Sequence, residues 1–347
     1  MTKVRTSTIL SSLLLCLLLA SNAVAIVVSP STDTSALANA LLGSNPGIVI
    51  KSVTLDGRTQ EQAMSTGTYT NSSGIFGIGP GLVVSSGDVS LSGDNLTRDM
   101  SFGYNIVASP ECNDLLAPIT GRTAHYDCTR LDIEFDLLPG YNGISIDAVF
   151  GTEEYPSWQN TIFNDGMGIY LNDINIAVVD EATLNISNSS IVDARYVPGT
   201  EASGLNGLLT HDSVPLLHFS HDLANGALSN RLTIIIADAS DASLDTVAFL
   251  GNLSANQVPY ALSNWGASHP LITTASTKFS FKVWGRVTLV SQDSFTLDDG
   301  SAAPVTVVAP GFSGIVDGDY ATAVGKFSGE GSARVLTAKA SAVVKAQ

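Results

Sequence analysis

Cysteine is scarce: the 347 residues contain three, and one of them, Cys16, lies within the first 25. No CxxC occurs, and the remaining pair is too small to supply an ordinary four-ligand zinc centre. Positive charge is also short. Lys and Arg total 16 against 32 Asp and Glu, a formal net charge of −16. A surface of that sign repels nucleic-acid phosphates and anionic bilayers, so neither is an expected partner. Charged residues are 14% and hydrophobic ones 44% of the chain, which excludes a disordered acidic tail. After the N-terminal segment no run is apolar and long enough to cross a membrane, so the mature chain is expected to have no span. The GxSxG, HExxH and phosphate-loop patterns are missing. The glycine-rich residues 74–81 fail GxGxxG, because Leu82 takes the last position and Pro80 opposes a helix start; a tight turn is expected there. What is abundant is glycine, at 31 residues, and the hydroxyl and amide residues that favour strands joined by turns.

The first 25 residues read as a signal peptide. Lys3 and Arg5 precede an apolar run over residues 9–20, and Ala23-Val24-Ala25 is a small-residue cleavage site. The run is shorter than the roughly 18–20 residues that a membrane anchor needs. Leu15 stands before Cys16 where a lipid-modified cysteine wants a small residue. Cleavage near Ala25 would remove two positive charges and no negative ones, taking −16 to −18. The mature protein is therefore expected outside the cytoplasm, secreted or at the cell surface. In that compartment Cys112 and Cys128 are most simply one disulfide, worth about 3 kcal/mol on the chain-entropy account.

Residues 32–43 carry one short helix, with a polar N-cap in Thr32-Asp33-Thr34-Ser35 and a stop at Gly43. Elsewhere the period is two. Leu131, Ile133, Phe135 and Leu137 alternate with acids, and Ile144, Ile146, Ala148 and Phe150 repeat the pattern after the turn residues 139–143, which predicts a hairpin. Further strands are expected over residues 48–55, 82–85, 167–171, 174–179, 232–237 and 246–250. Periodicity lapses over residues 252–277 and returns at 279–290, 294–297, 305–309, 320–327 and 333–338. The expected fold class is mainly β. A sandwich or jelly-roll-like large domain (26–253) is followed by a linker (254–277) and a small OB-like β-barrel (278–347).

Several words in order resemble the choice-of-anchor L domain family of exported prokaryotic surface proteins. They are residues 37–43, 74–81 and 82–87, then Phe150-Gly151-Thr152-Glu153-Glu154-Tyr155-Pro156, Phe163-Asn164-Asp165, and the stretch from Ala237-Asp238 through Asp241 and Asp245 to Phe249-Leu250. The resemblance covers about residues 36–250 and implies a surface binding or adhesive module with no settled reaction. The family is named for its varied C-terminal anchors, and no sorting signal or terminal hydrophobic segment is seen in this chain. Residues 283–287 and 297–300 resemble the opening strands of an OB barrel, whose nucleic-acid role is not carried over because Asp298, Asp299, Asp317 and Asp319 make the surface acidic.

The strongest chemical constellation is acidic. Glu153, Glu154, Asn164 and Asp165 flank one turn region, and Asp238, Asp241 and Asp245 another. If both meet at one end of a sandwich, they offer the hard oxygens that Ca²⁺ takes in irregular sets of six to eight. The competing reading is that they are solvated loop acids. Adjacent strand residues face opposite sides, so the pattern leaves open which of Glu153 and Glu154 points inward. A carbohydrate-active enzyme would pair Glu154 with Asp165 or Asp238 across a sugar. Tyr155 and Trp158 are the candidate ligand-stacking aromatics, whereas Phe163 and Tyr170 are expected in the core. His218 and His221, three apart on a strand, fall on opposite faces and make no zinc site. Sequons start at Asn71, Asn95, Asn185, Asn188 and Asn252. The leading expectation is a non-catalytic binding or adhesion module, with calcium holding the acidic loops and an extracellular glycan or surface protein as partner. A structural matrix protein is the alternative, followed by the enzyme.

Overall fold

A computed structural model describes the chain from residue 26 to 346, apart from residues 45, 61–62, 93–102, 156, 194–208, 212–213, 225, 258, 270–278 and 330–333. The expected leader, the sequon at Asn95, Pro156 and residues 270–277 of the expected linker lie outside the described residues.

The chain order is β1 (Ile26–Pro30), α1 (Thr34–Leu41), β2 (Ile48–Asp56), β3 (Thr66–Asn71), β4 (Gly81–Ser85), α2 (Pro110–Thr120), β5 (His125–Leu137), β6 (Gly143–Thr152) and β7 (Gly166–Leu171). Short pieces follow: β8 (Ile174–Asn175), β9 (Val178–Val179), β10 (Ala182–Thr183), β11 (Val192–Asp193) and β12 (Leu209–Thr210). The sandwich closes with β13 (Leu217–Asp222), β14 (Asn230–Ala239) and β15 (Thr246–Asn256). The chain is mainly β, as the alternation predicts. Asp33 caps α1 by accepting from the Ser35 and Ala36 amides.

Two antiparallel sheets form the sandwich, ordered β1-β3-β4-β15-β6-β13 and β2-β5-β14-β7-β8. Their facing rows interdigitate. Leu82 and Val84, Ile144 to Phe150 at alternate positions, Ala248 and Leu250 meet Leu131, Ile133, Phe135, Met167, Ile169, Leu232, Ile234 and Ile236. The outer face of β14 and β7 is buried too, because α2 lays Cys112, Leu116 and Ile119 on Tyr170, Ile235 and Ala237. Ser109 caps α2, Pro110 starts it and Gly121 ends it at φ 70°. The Cys112–Cys128 disulfide staples this helix to β5, with Cα atoms 6.7 Å apart. The glycine-rich stretch is a turn: Gly74, Phe76 and Gly77 all take positive φ, and Phe76 and Ile78 cover the other sheet.

The sandwich strand β15 runs on to Asn256, past the expected boundary. The next element, β16 (Tyr260–Ala261), pairs parallel to β17 (Phe281–Leu289), and α3 (Asn264–Ser268) packs its Ala267 into the C-terminal core. Part of the expected linker therefore belongs to the second unit. With β18 (Ser294–Asp298), β19 (Val305–Val308), β20 (Tyr320–Ser328) and β21 (Val335–Lys345), β17 closes a five-stranded barrel in the order β17-β18-β19-β21-β20, sealed by β17–β20 pairing. All pairs are antiparallel except β19–β21, and the filling is Val283, Val287, Phe295, Leu297, Val307 and Leu336. This is the OB-like barrel.

Candidate functional site: an acid-lined end of the sandwich

The inward rows of the sandwich are apolar along their length and turn polar at one end. On β6, Ala148 and Phe150 are followed in the same parity by Thr152 and Glu154. On β14, Ile234 and Ile236 are followed by Asp238, and Asp165 precedes Met167 and Ile169 on β7. Thr246 precedes Ala248 on β15, Ser86 follows Val84 on β4, and Asp127 and Thr129 precede Leu131 on β5. The carboxylates are thus the last layer of the core. Glu154, Asp165, Asp238 and Asp245 are each at most 1% exposed. The two-residue period also settles the adjacent glutamates: Glu154 points in, while Glu153 stays half-exposed and bonds its amide to the Asp245 carbonyl at 3.2 Å.

Only part of this layer is satisfied. Asp165 Oδ1 accepts from the Ala239 amide at 2.7 Å, and Oδ2 from the Thr246 hydroxyl at 2.7 Å, itself 3.0 Å from Thr152 Oγ1. Glu154 Oε2 lies 3.5 Å from the Asp165 amide. Asp127, held at φ 52°, accepts from the backbone amides of Tyr104, Asn105 and Ile106 at 2.9, 3.2 and 3.0 Å. Arg58 faces it at 3.8 Å, donates to Ala63 O at 3.2 Å and to Gly87 O, and lies 4.2 Å from the centre of the Tyr104 ring. Neither oxygen of Asp245 makes a hydrogen bond, and Asp238 has only loose contacts with the Ser86 hydroxyl and the Asp165 carboxyl. Gly87 makes room for Asp245: a Cβ there would sit 1.8 Å from Asp245 Oδ2.

Burial dominates the electrostatics. It raises the pKa of Glu154, and the neighbouring Asp165 charge adds to the rise. It raises Asp165 against the bonds from Thr246 and Ala239. Asp238 is pushed well up by burial and then by Asp165 and Asp245. Asp245 is pushed up to about 8 by burial and by Glu153, against the pull of Arg58. One guanidinium therefore faces Asp127 and four further buried carboxyls, an arrangement that demands protons or another cation.

The structure brings Glu154, Asp165, Asp238 and Asp245 together, with Asp241 at the rim, where burial raises its pKa and the Ser243 amide bonds it at 3.3 Å. Asn164 is drawn elsewhere: its amide donates to Thr120 O at 2.8 Å and its carbonyl accepts from the Ser187 amide at 3.2 Å. Tyr155 packs on the core, whereas Trp158 is 41% exposed and edge-on to Phe163 at 5.2 Å. Among the described residues no group of three or more His, Cys, Asp or Glu side chains is arranged to hold a metal ion as it stands. His125 is buried, its pKa lowered to about 4 by desolvation, and its ring bonds Thr120 and Asn113 at 2.8 Å each. The sequons at Asn71, Asn185 and Asn188 have side-chain amides committed to backbone carbonyls. Arg58, Asp127 and Tyr104 escaped the sequence reading. They also line a cleft of about 430 Å³ with Asp56, Gln60 and Ile106.

An antiparallel sandwich with an acid-capped core and an appended OB-like barrel defines the class of protein. The chain belongs to the choice-of-anchor L domain family of surface-associated proteins, matched over residues 27–206. The match includes Glu154 and Asp165 and ends before β14 brings in Asp238. No curated protein matches it. Among solved structures, the catalytic unit of a thermostable GH87 α-1,3-glucanase from Streptomyces thermodiastaticus strain HF3-3 is similar at 14% identity and a TM-score of 0.16. The alignment covers 47% of this chain and 27% of that one, and a likeness at that level carries no argument. No helix among the described residues is long and apolar enough to cross a membrane.

Proposed function

We propose that the protein is a secreted or surface-held binding module without catalytic activity, directed at an extracellular glycan or surface protein. The observation that carries this reading is the closure of its carboxylates. A glycosidase places two carboxyls on either side of a bound sugar, with roughly 5–9.5 Å between them. Here Glu154, Asp165 and Asp238 end the hydrophobic core at 1% exposure or less, out of reach of a substrate in solvent. What solvent reaches is the cleft beside them, where the exposed Asp56, Thr59 and Gln60 and the half-buried Tyr104 ring offer hydrogen-bonding and stacking groups together, over a floor of buried Arg58 and Asp127. Mixed aromatic and polar walls of that kind suit a small polar ligand or a saccharide unit. Trp158 adds a second exposed ring. The net charge of −16 and the family membership support an extracellular, non-nucleic-acid partner.

The test is a glycan and cell-envelope binding screen with residues 26–347, alongside Gln60→Trp, which fills the cleft mouth, and Trp158→Ala. The expected result is saturable binding, weakened at least about tenfold by one of the two changes, with no product released. Absence of any binding would favour a structural matrix role instead. Glycan turnover that Glu154→Gln abolishes, with the circular dichroism unchanged, would overturn the non-catalytic reading.

A further inference from the structure

We propose that the acid-lined end of the sandwich binds one divalent cation of the calcium type, ligated by Asp165, Asp238 and Asp245 with Glu154 beside them. This goes beyond the binding reading and does not depend on it.

Three observations carry it. Asp238 and Asp245 are buried to 0% and 1% exposure; neither Asp245 oxygen has a hydrogen-bond partner, and Asp238 has no close donor beyond its loose contacts with Ser86 and Asp165. An ionised carboxylate so placed is tolerated only when a counter-charge reaches it. Among the described residues Arg58 is the buried guanidinium nearby, and its single charge faces Asp127 at 3.8 Å and four further buried carboxyls, so it neutralises only one of them. Finally, the available donors are hard oxygens. His125 is tied to Thr120 and Asn113, and Cys112 and Cys128 are joined to each other. An all-oxygen, irregular set drawn from separate strand ends fits Ca²⁺ better than Zn²⁺, whose tetrahedral sites are built mainly on His and Cys, or Mg²⁺, which demands near-octahedral geometry. Since no three acids converge as they stand, binding must rotate them inward. The side-chain-free face of Gly87, against which Asp245 rests, leaves Asp245 that freedom. The ion would then tie the 153–165 segment to the 238–245 turn, and so one sheet to the other.

The experiment uses residues 26–347, stripped with chelator and titrated at pH 8 with CaCl₂ alone or MgCl₂ alone, read by calorimetry and thermal unfolding. One site per chain is expected. At a hundredfold excess of Ca²⁺ over its dissociation constant, Tm is expected to rise by about 5–10 °C. Asp238→Asn and Asp245→Asn should each abolish the rise while leaving the ion-free Tm equal to or above wild type, because each removes a repelling charge. Asp56→Asn, at an exposed position, should keep it. Absence of heat and of any Tm shift in the wild type at millimolar Ca²⁺ would overturn the proposal, whatever the variants do. So would a shift that survives in both buried variants, or an equal response to Mg²⁺.

Discussion

Replacing Arg58 with methionine tests the electrostatic account of the capped core most severely. The guanidinium side chain is 7% exposed, and its Asp127 partner is fully buried 3.8 Å away. Removing one member of a buried pair costs about 3–5 kcal/mol, because the other charge loses its compensation. Two carbonyls, Ala63 O and Gly87 O, also lose a donor, at about 1–3 kcal/mol for each acceptor left dry. Methionine refills much of the volume, and Asp127 keeps its three backbone amides, which offsets part of the loss. The expected net loss is about 4 kcal/mol, or roughly 8–16 °C in Tm for a domain of this size. Urea unfolding at pH 7, followed by circular dichroism, measures it. The double change Arg58→Met with Asp127→Asn should recover a substantial part, since no buried charge is then stranded. A single-variant loss under about 1 kcal/mol, or a double variant no more stable than the single one, would refute the reasoning.

Three further outcomes are expected. Cys112→Ala with Cys128→Ala opens a 16-residue separation and should lower stability by about 3 kcal/mol, with wild type falling to the same urea midpoint under reductant. Gly87→Ala drives a methyl into the Asp245 carboxylate, so it should lower Tm by several degrees, and Asp245→Asn should not rescue it because the clash is steric. His125 should make the protein acid-sensitive. Its folded pKa of about 4 lies below the unfolded value near 6.5, so the unfolded chain binds the proton first. Its contribution is therefore complete above pH 6.5 and is lost as pH falls towards 4. His125→Gln should flatten that part of the stability–pH curve, and an unchanged slope would refute it.

β5 and β6 were legible as strands because nothing interrupts their alternation across residues 131–137 and 144–150, but the expected hairpin does not form: β5 pairs with β2 and β14, while β6 crosses to the other sheet and pairs with β15 and β13. Extending the same parity by four residues from Phe150 would have oriented Glu154 inward, so that part of the site was within reach of the pattern. Two other elements carried signals that were not followed. Leu217 and Phe219 alternate with His218 and Ser220 over β13, a run of two apolar positions that is short for a strand signal. Ser109-Pro110 and Gly121 bracket α2, but Pro118 and the polar residues between them mask its apolar face. Arg58 and Asp127 were beyond sequence reasoning. They are 69 positions apart, and their meeting depends on β2 pairing with β5, a contact set by the packing of the whole sheet. Asn164 shows the reverse error. Its neighbour Asp165 belongs to the inward row of β7, while Asn164 itself turns to bond the end of α2.

The central claim is that the four buried acids exist to enclose a cation rather than to act on a substrate. Metal analysis of the intact protein, purified from calcium-containing medium without chelator and exchanged into metal-free buffer, addresses this directly. The account predicts stoichiometric calcium in the wild type and none in Asp238→Asn or Asp245→Asn. Calcium-free wild-type protein that unfolds no earlier after treatment with chelator would contradict it.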